Sequence, residues 1–105
     1  MLRISFPDGP DIIVNIELEN ALYQLRFLYN TDDDAWTLSL RDKDNQPLIE
    51  GIKIVPNFPL LWLHHLPGVP GGEFMALSQA DNIGRDAFTK GAATFIYMTE
   101  EEYYP

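Results

Sequence analysis

The stretch Ile12-Ile13-Val14-Asn15-Ile16-Glu17-Leu18-Glu19 and the stretch Leu22-Tyr23-Gln24-Leu25-Arg26-Phe27-Leu28-Tyr29 lie two residues apart and share one rhythm. In the first, Ile12, Val14, Ile16 and Leu18 fall on one face, and Asn15, Glu17 and Glu19 on the other, with Ile13 alone breaking the polar side. In the second, Tyr23, Leu25, Phe27 and Tyr29 oppose Gln24 and Arg26. Successive strand side chains point to opposite faces, so a period of two in β-branched and aromatic residues predicts two half-buried strands. Asn20-Ala21 between them predicts the turn of an antiparallel hairpin, because asparagine tolerates the left-handed conformation that such turns need.

The same reading extends outward. Asn30 to Asp34 is a polar loop, and Trp36, Leu38 and Leu40 alternate with Thr37, Ser39 and Arg41 in a third strand. Asp42 to Pro47 reads as a turn and Leu48 to Val55 as a fourth strand, in which Gly51 marks a bulge or a close backbone approach. The short apolar segment Leu60 to Leu66 reads as a fifth strand and Glu73 to Leu77 as a sixth. Ala92 to Thr99 is apolar on both faces, which suits a central strand. Asp81 to Lys90 is the one stretch that admits a helical turn, and Pro67-Gly68-Val69-Pro70-Gly71-Gly72 is the main breaker cluster. With no long 3.6-residue period, the chain is predicted to form a single all-β domain over residues 1–105, with an acidic tail at 99–105. The expected architecture is a small antiparallel barrel or sandwich of about seven short strands, with little or no helix.

Composition narrows the function classes. A chain of 105 residues with a 46% hydrophobic fraction is one ordinary domain and can bury a stable core. It has no cysteine, hence no disulfide framework and no thiolate chemistry. The N-terminal residues Met1 to Pro7 do not read as a secretory signal, and the apolar stretch Phe58 to Leu66 is too short to cross a bilayer. Sixteen acids against seven bases give a net charge of −9, which disfavours direct binding to nucleic-acid phosphates and to anionic membranes. The runs Asp32-Asp33-Asp34 and Glu100-Glu101-Glu102 read as a solvated loop and a solvated tail.

A search for chemistry finds no constellation. His64 and His65 are adjacent, so on a strand they point apart, and no further His or Cys completes a zinc site. None of Ser5, Ser39 and Ser78 sits in a Gly-x-Ser-x-Gly elbow. Paired carboxylates are inevitable among so many acids and decide nothing. The aspartate run lacks the glycine and the terminal glutamate of a calcium loop, and the glycine-rich loop lacks the Lys-Ser/Thr of a phosphate loop. No catalytic residue, metal or cofactor is assigned. Trp36, Trp62 and the Tyr/Phe set read as core, with exposure of some of them at an interface left open at an aromatic fraction of 12%. The candidate partner contacts are Pro67, Gly68, Pro70, Gly71 and Gly72, the loop Asp32, Asp33 and Asp34, and Tyr103 and Tyr104 of the tail, because loops and termini carry function more often than strands.

One longer succession reads as more than a generic β protein. It runs Leu25-Arg26-Phe27-Leu28-Tyr29-Asn30, then Trp36 to Asp42, then Pro47 to Val55, then Pro59-Leu60-Leu61-Trp62, Gly71-Gly72-Glu73-Phe74 and a closing Phe95-Ile96-Tyr97. In order and spacing, over residues 4–98, it resembles the cyanophage-type baseplate plug proteins of contractile-tailed phages and prophages. The turns Asn20-Ala21 and Asp44-Asn45 depart from the Gly-bearing turns common in that family, and asparagine can serve at both. The resemblance implies a non-enzymatic virion component, made in the host bacterial cytoplasm and seated in the central hub of the tail baseplate against other tail or baseplate proteins. A homo-oligomer is compatible with it. By its charge, a strongly negative surface near a conduit would repel DNA phosphates and keep them from sticking. Two alternatives stay open from the residues alone: an acidic module that mimics DNA towards a host factor, and a small ligand-binding β-barrel.

Overall fold

A computed structural model describes residues 1–62 and 68–103. Among the described residues there are seven strands: β1 (Leu2–Ile4), β2 (Asp11–Leu18), β3 (Ala21–Asn30), β4 (Ala35–Asp42), β5 (Pro47–Lys53), β6 (Glu73–Ser78) and β7 (Ala93–Met98). They form two antiparallel sheets, β2-β3-β4-β5 and β1-β7-β6. The sheets do not close, so of the two expected architectures the protein adopts the sandwich.

The alternation read from the sequence sets the inner faces. Ile12, Leu18, Tyr23, Leu25, Phe27, Trp36, Leu38 and Leu40 are buried on one sheet, and Ala93, Phe95, Tyr97, Phe74 and Ala76 on the other. Aromatic rings bridge the layers: Phe27 meets Phe95 edge-on at 5.0 Å, and Phe95 stacks on Phe74 at 5.7 Å. Phe6, which leads from one sheet to the other, stacks on Phe27 at 4.2 Å, and Phe88 closes the cluster against Trp36 and Phe95. β7 lies centrally between β1 and β6, and Ile96 on its second face is also buried, as the doubly apolar pattern predicted.

The turns show how local chemistry shapes the sheet. The first hairpin turns at Glu19-Asn20, one residue earlier than the sequence suggested, since Leu18 pairs with Ala21. Both residues take positive φ (49° and 69°), the two-residue geometry whose twist matches the strands it joins. At the β4–β5 turn Asn45 takes φ 63°, and the Asp42 carboxylate accepts the Asp44 and Gln46 amides at 2.9 Å each. Gly51 (φ 71°) sits where the β4–β5 register slips, the bulge expected there.

Two expectations are corrected. Leu60 to Trp62 form a turn and not the start of a fifth strand, and the rest of that segment lies outside the described residues. Pro59 lacks an N–H, and the amides that follow it are claimed from the side: Leu60 N–H donates to the Phe74 carbonyl at 3.0 Å and Leu61 N–H to the buried Glu73 carboxylate at 2.7 Å. Trp62 is not core: it is 56% exposed, edge-on to the exposed Phe58. Part of the acidic tail is ordered as a single helical turn, α1 (Glu100–Tyr103), because Thr99 and Glu102 cap each other reciprocally. Asp81 to Lys90 folds as successive turns, with one helix-like bond from Lys90 N–H to the Asp86 carbonyl at 2.9 Å.

Phe95 joins both layers, so Phe95→Ala should cost about 3–5 kcal/mol in chemical denaturation. A loss under about 1 kcal/mol would show that the aromatic bridge is not what holds the sheets together.

Candidate interaction surface

The candidate contacts separate to the two ends of β3. At one end stand the first hairpin turn, the Gly68–Gly72 loop and α1. At the other stand the Asp32–Asp34 loop and the β6–β7 connection.

At the first end a tyrosine hydroxyl organises the backbone. Tyr97 O–H donates to the Glu19 carboxylate at 2.5 Å and accepts the Gly72 N–H at 2.9 Å. One side chain of β7 thereby holds the hairpin turn of the opposite sheet and the loop entering β6. Tyr23 O–H donates to the Gly68 carbonyl at 3.3 Å, a second pin on the same loop. Burial and the Glu19 bond push the Tyr97 hydroxyl pKa up, and burial does the same at Tyr23.

This changes what the glycine-rich loop can offer. Gly72 is buried, and a Cβ there would stand 1.9 Å from the Met98 carbonyl oxygen and 2.7 Å from the Tyr97 hydroxyl oxygen. Its glycine is a packing requirement. Pro70 is also buried, whereas Gly68 (φ 89°) and Gly71 are exposed. Gly71 lies against the Glu100 carboxylate, so the loop and the acidic turn share one surface. Tyr103 is half-buried on α1, and its amide donates to the Thr99 carbonyl at 3.0 Å. Pro67 and Tyr104 lie outside the described residues, as do His64 and His65.

At the other end, Asp34 is committed to structure. It takes φ 47°, accepts the Tyr29 hydroxyl, and receives the Asn82 amide on its carbonyl at 2.9 Å and on its carboxylate at 3.2 Å. Asn30 binds the Asp32 amide at 3.0 Å and the Asp33 carboxylate at 3.2 Å. All three aspartates are exposed. Trp36 Nε1 donates to the Gly84 carbonyl at 2.9 Å, and Arg85 lies over the Trp36 ring while pairing with Asp8 at 2.8 Å.

Sequence reasoning passed over Glu19, Glu73 and Tyr97, whose roles depend on partners 12 to 78 residues away. Depressions of about 420 Å³ beside Leu22 and Lys43 and about 490 Å³ beside Glu19, Glu100 and Glu101 mark the hairpin end. Among the described residues no group of three or more His, Asp or Glu is placed to hold a metal ion, and no helix is long and apolar enough to cross a membrane.

The class that the fold defines is a two-sheet all-β sandwich, with Tyr97, Tyr23, Asp34 and Trp36 tying its turns and loops. Residues 1–101 match the family described as "Cyanophage baseplate Pam3 plug gp18", and the chain belongs to that family. The family's name indicates a phage baseplate plug, consistent with a structural component of the baseplate. No curated protein matches the chain significantly.

The raised Tyr97 pKa means that the native state holds this proton more tightly than the unfolded chain. Its contribution is complete below the ordinary tyrosine pKa of 10.0 and is lost as pH rises beyond it. Tyr97→Phe should cost about 1–3 kcal/mol at neutral pH by leaving Glu19 and the Gly72 amide without this partner. Urea melts at alkaline pH should show that deficit shrinking, and a constant deficit would refute the linkage. Gly72→Ala should cost about 3 kcal/mol or prevent folding, because the obstructing atom is backbone.

Proposed function

We propose that the protein acts as a passive plug in the central hub of the baseplate, held by contacts with neighbouring virion proteins and catalysing nothing. The family match along nearly the whole chain carries this reading. The physical design supports it. A part packed among neighbours needs a fixed shape, and here the turns and loops are tied from both sheets by Tyr97, Tyr23, Asp34 and Trp36. Mimicry of DNA asks for carboxylates in a row on one face. The acidic runs instead stand at opposite ends of β3, and Asp8, Asp11, Glu50 and Asp86 are engaged in ion pairs.

Deleting the gene from an inducible phage or prophage should give tails with an incomplete baseplate and little infectivity, and mass spectrometry of purified wild-type tails should detect this protein. Its absence from tails would overturn the reading. The exposed charge has its own test. If it keeps DNA phosphates from adhering, the quadruple variant Asp32→Asn, Asp33→Asn, Glu100→Gln, Glu101→Gln should assemble yet release DNA more slowly. Unchanged release would remove the charge from the mechanism.

A further inference from the structure

The four outer edges of this sandwich are not equivalent. An edge strand presents unpaired N–H and C=O groups, which proteins ordinarily shield with prolines, bulges, short strands or a covering segment. The edge of β6 is covered: Asn57 N–H donates to the Ala76 carbonyl at 2.7 Å, Leu60 N–H to the Phe74 carbonyl, and the Asn57 side chain clamps the Ser78 amide and carbonyl. The edge of β5 begins with Pro47 and is broken by the Gly51 bulge. The β1 edge is 3 residues long. β2 alone combines a length of 8 residues with no proline, glycine, lysine, bulge or bonded covering segment among the described residues.

The hydrogen-bond phase shows which groups face outward. Tyr29 N–H donates to the Pro10 carbonyl at 2.8 Å, one step beyond the pairing of Asp11 with Leu28. Antiparallel partners alternate between bonded and non-bonded pairs. Ile12, Val14, Ile16 and Leu18 therefore bond to β3, while the N–H and C=O groups of Asp11, Ile13, Asn15 and Glu17 point away from the sheet. No described residue bonds to those groups. The side chains agree with an open edge: Val14 and Ile16, on the core face, are only half-buried, and on the outer face Ile13 is 55% and its diagonal neighbour Leu28 40% exposed.

We propose that β2 is the docking edge of the plug, and that an extended segment of a different baseplate protein, alternating apolar and basic residues, adds to it as a further strand. The proposal deepens the baseplate reading and rests on it. Four outward residues offer a ladder of main-chain bonds, and the added strand would cover Ile13 on one face and Val14 and Ile16 on the other. Charge selects the occupant. Glu17 makes no ion pair among the described residues, Glu19 lies just beyond, and the chain carries −9 overall. A second copy fits poorly, because it too carries −9 and the two-fold pairing would bring its Glu17 to Asp11, whose carboxylate is already held by Arg26. A basic side chain opposite Glu17 would instead meet a carboxylate without an ion pair among the described residues.

Asn15→Pro isolates the idea. The Asn15 amide points outward, so proline there removes a docking donor without removing a bond between β2 and β3. The probe is an end-blocked peptide alternating lysine and valine, titrated against ¹⁵N-labelled protein. The amides of Asp11, Ile13, Asn15 and Glu17 should gain exchange protection. Asn15→Pro should weaken binding by about two- to tenfold, the factor set by one lost hydrogen bond of ordinary net worth. Glu17→Lys, an exposed substitution without folding consequences, should weaken it similarly and carries the test if the proline variant misfolds. Protection elsewhere, undiminished binding by both variants, or a dimer in sedimentation that Asn15→Pro disperses would overturn the proposal, the last in favour of a second copy. Tails that incorporate Asn15→Pro and Glu17→Lys as well as the wild type would also sink it, while leaving the baseplate reading intact.

Discussion

The edge-on contact of Phe27 with Phe95 is the constraint on which the rest of this protein depends. Each ring belongs to an interior strand of its sheet, so their meeting sets which faces oppose and how the layers lie. Phe6, Phe74, Phe88 and Trp36 extend the contact into one aromatic core. Rings bury large apolar areas and favour offset or edge-to-face arrangements, so such a cluster supplies both the drive for packing and a preferred geometry. A small sandwich without disulfides relies on a core of this kind.

With the layers in place, their open ends must be closed, and polar side chains do that work. The Tyr97 hydroxyl stands between a carboxylate and a backbone amide from different parts of the chain, so it couples the β2–β3 turn to the entrance of β6. Asp34 and Asn82 perform the corresponding task at the other end. Acidic residues that look like a uniform negative coat thus divide into two populations. Glu19, Asp34, Asp42 and Glu73 hold backbone or hydroxyl groups in place, and Asp32, Asp33, Glu100 and Glu101 face solvent. For a plug, rigidity from the first population and surface charge from the second are separate properties of one composition.

The treatment of the sheet edges follows the same economy. Three edges are shortened, bulged or covered, and one 8-residue edge is left straight, with its outward main-chain groups unbonded among the described residues. Adding a strand to such an edge extends a sheet without rearranging the core beneath it.

Alternation from Ile12 to Tyr29, and again from Trp36 to Arg41, determined by sequence alone that the protein is antiparallel β and which side chains are core, because a strand's period of two is a local property. The order of residues across nearly the whole chain also carried its baseplate family. Tertiary structure alone decided the rest. Leu60 looked like a strand because it begins an apolar run, but its amide is taken by β6. Trp62 looked like core because tryptophan is usually buried, yet its position leaves it exposed. Gly72 looked like a flexible contact, but Met98 and Tyr97 leave no room for a side chain. The candidate surface was legible only as a list of loops, and the sequence could not show which loop residues were already committed or which strand stood uncovered at an edge. Those facts rest on contacts between residues far apart in the chain, which no local pattern encodes.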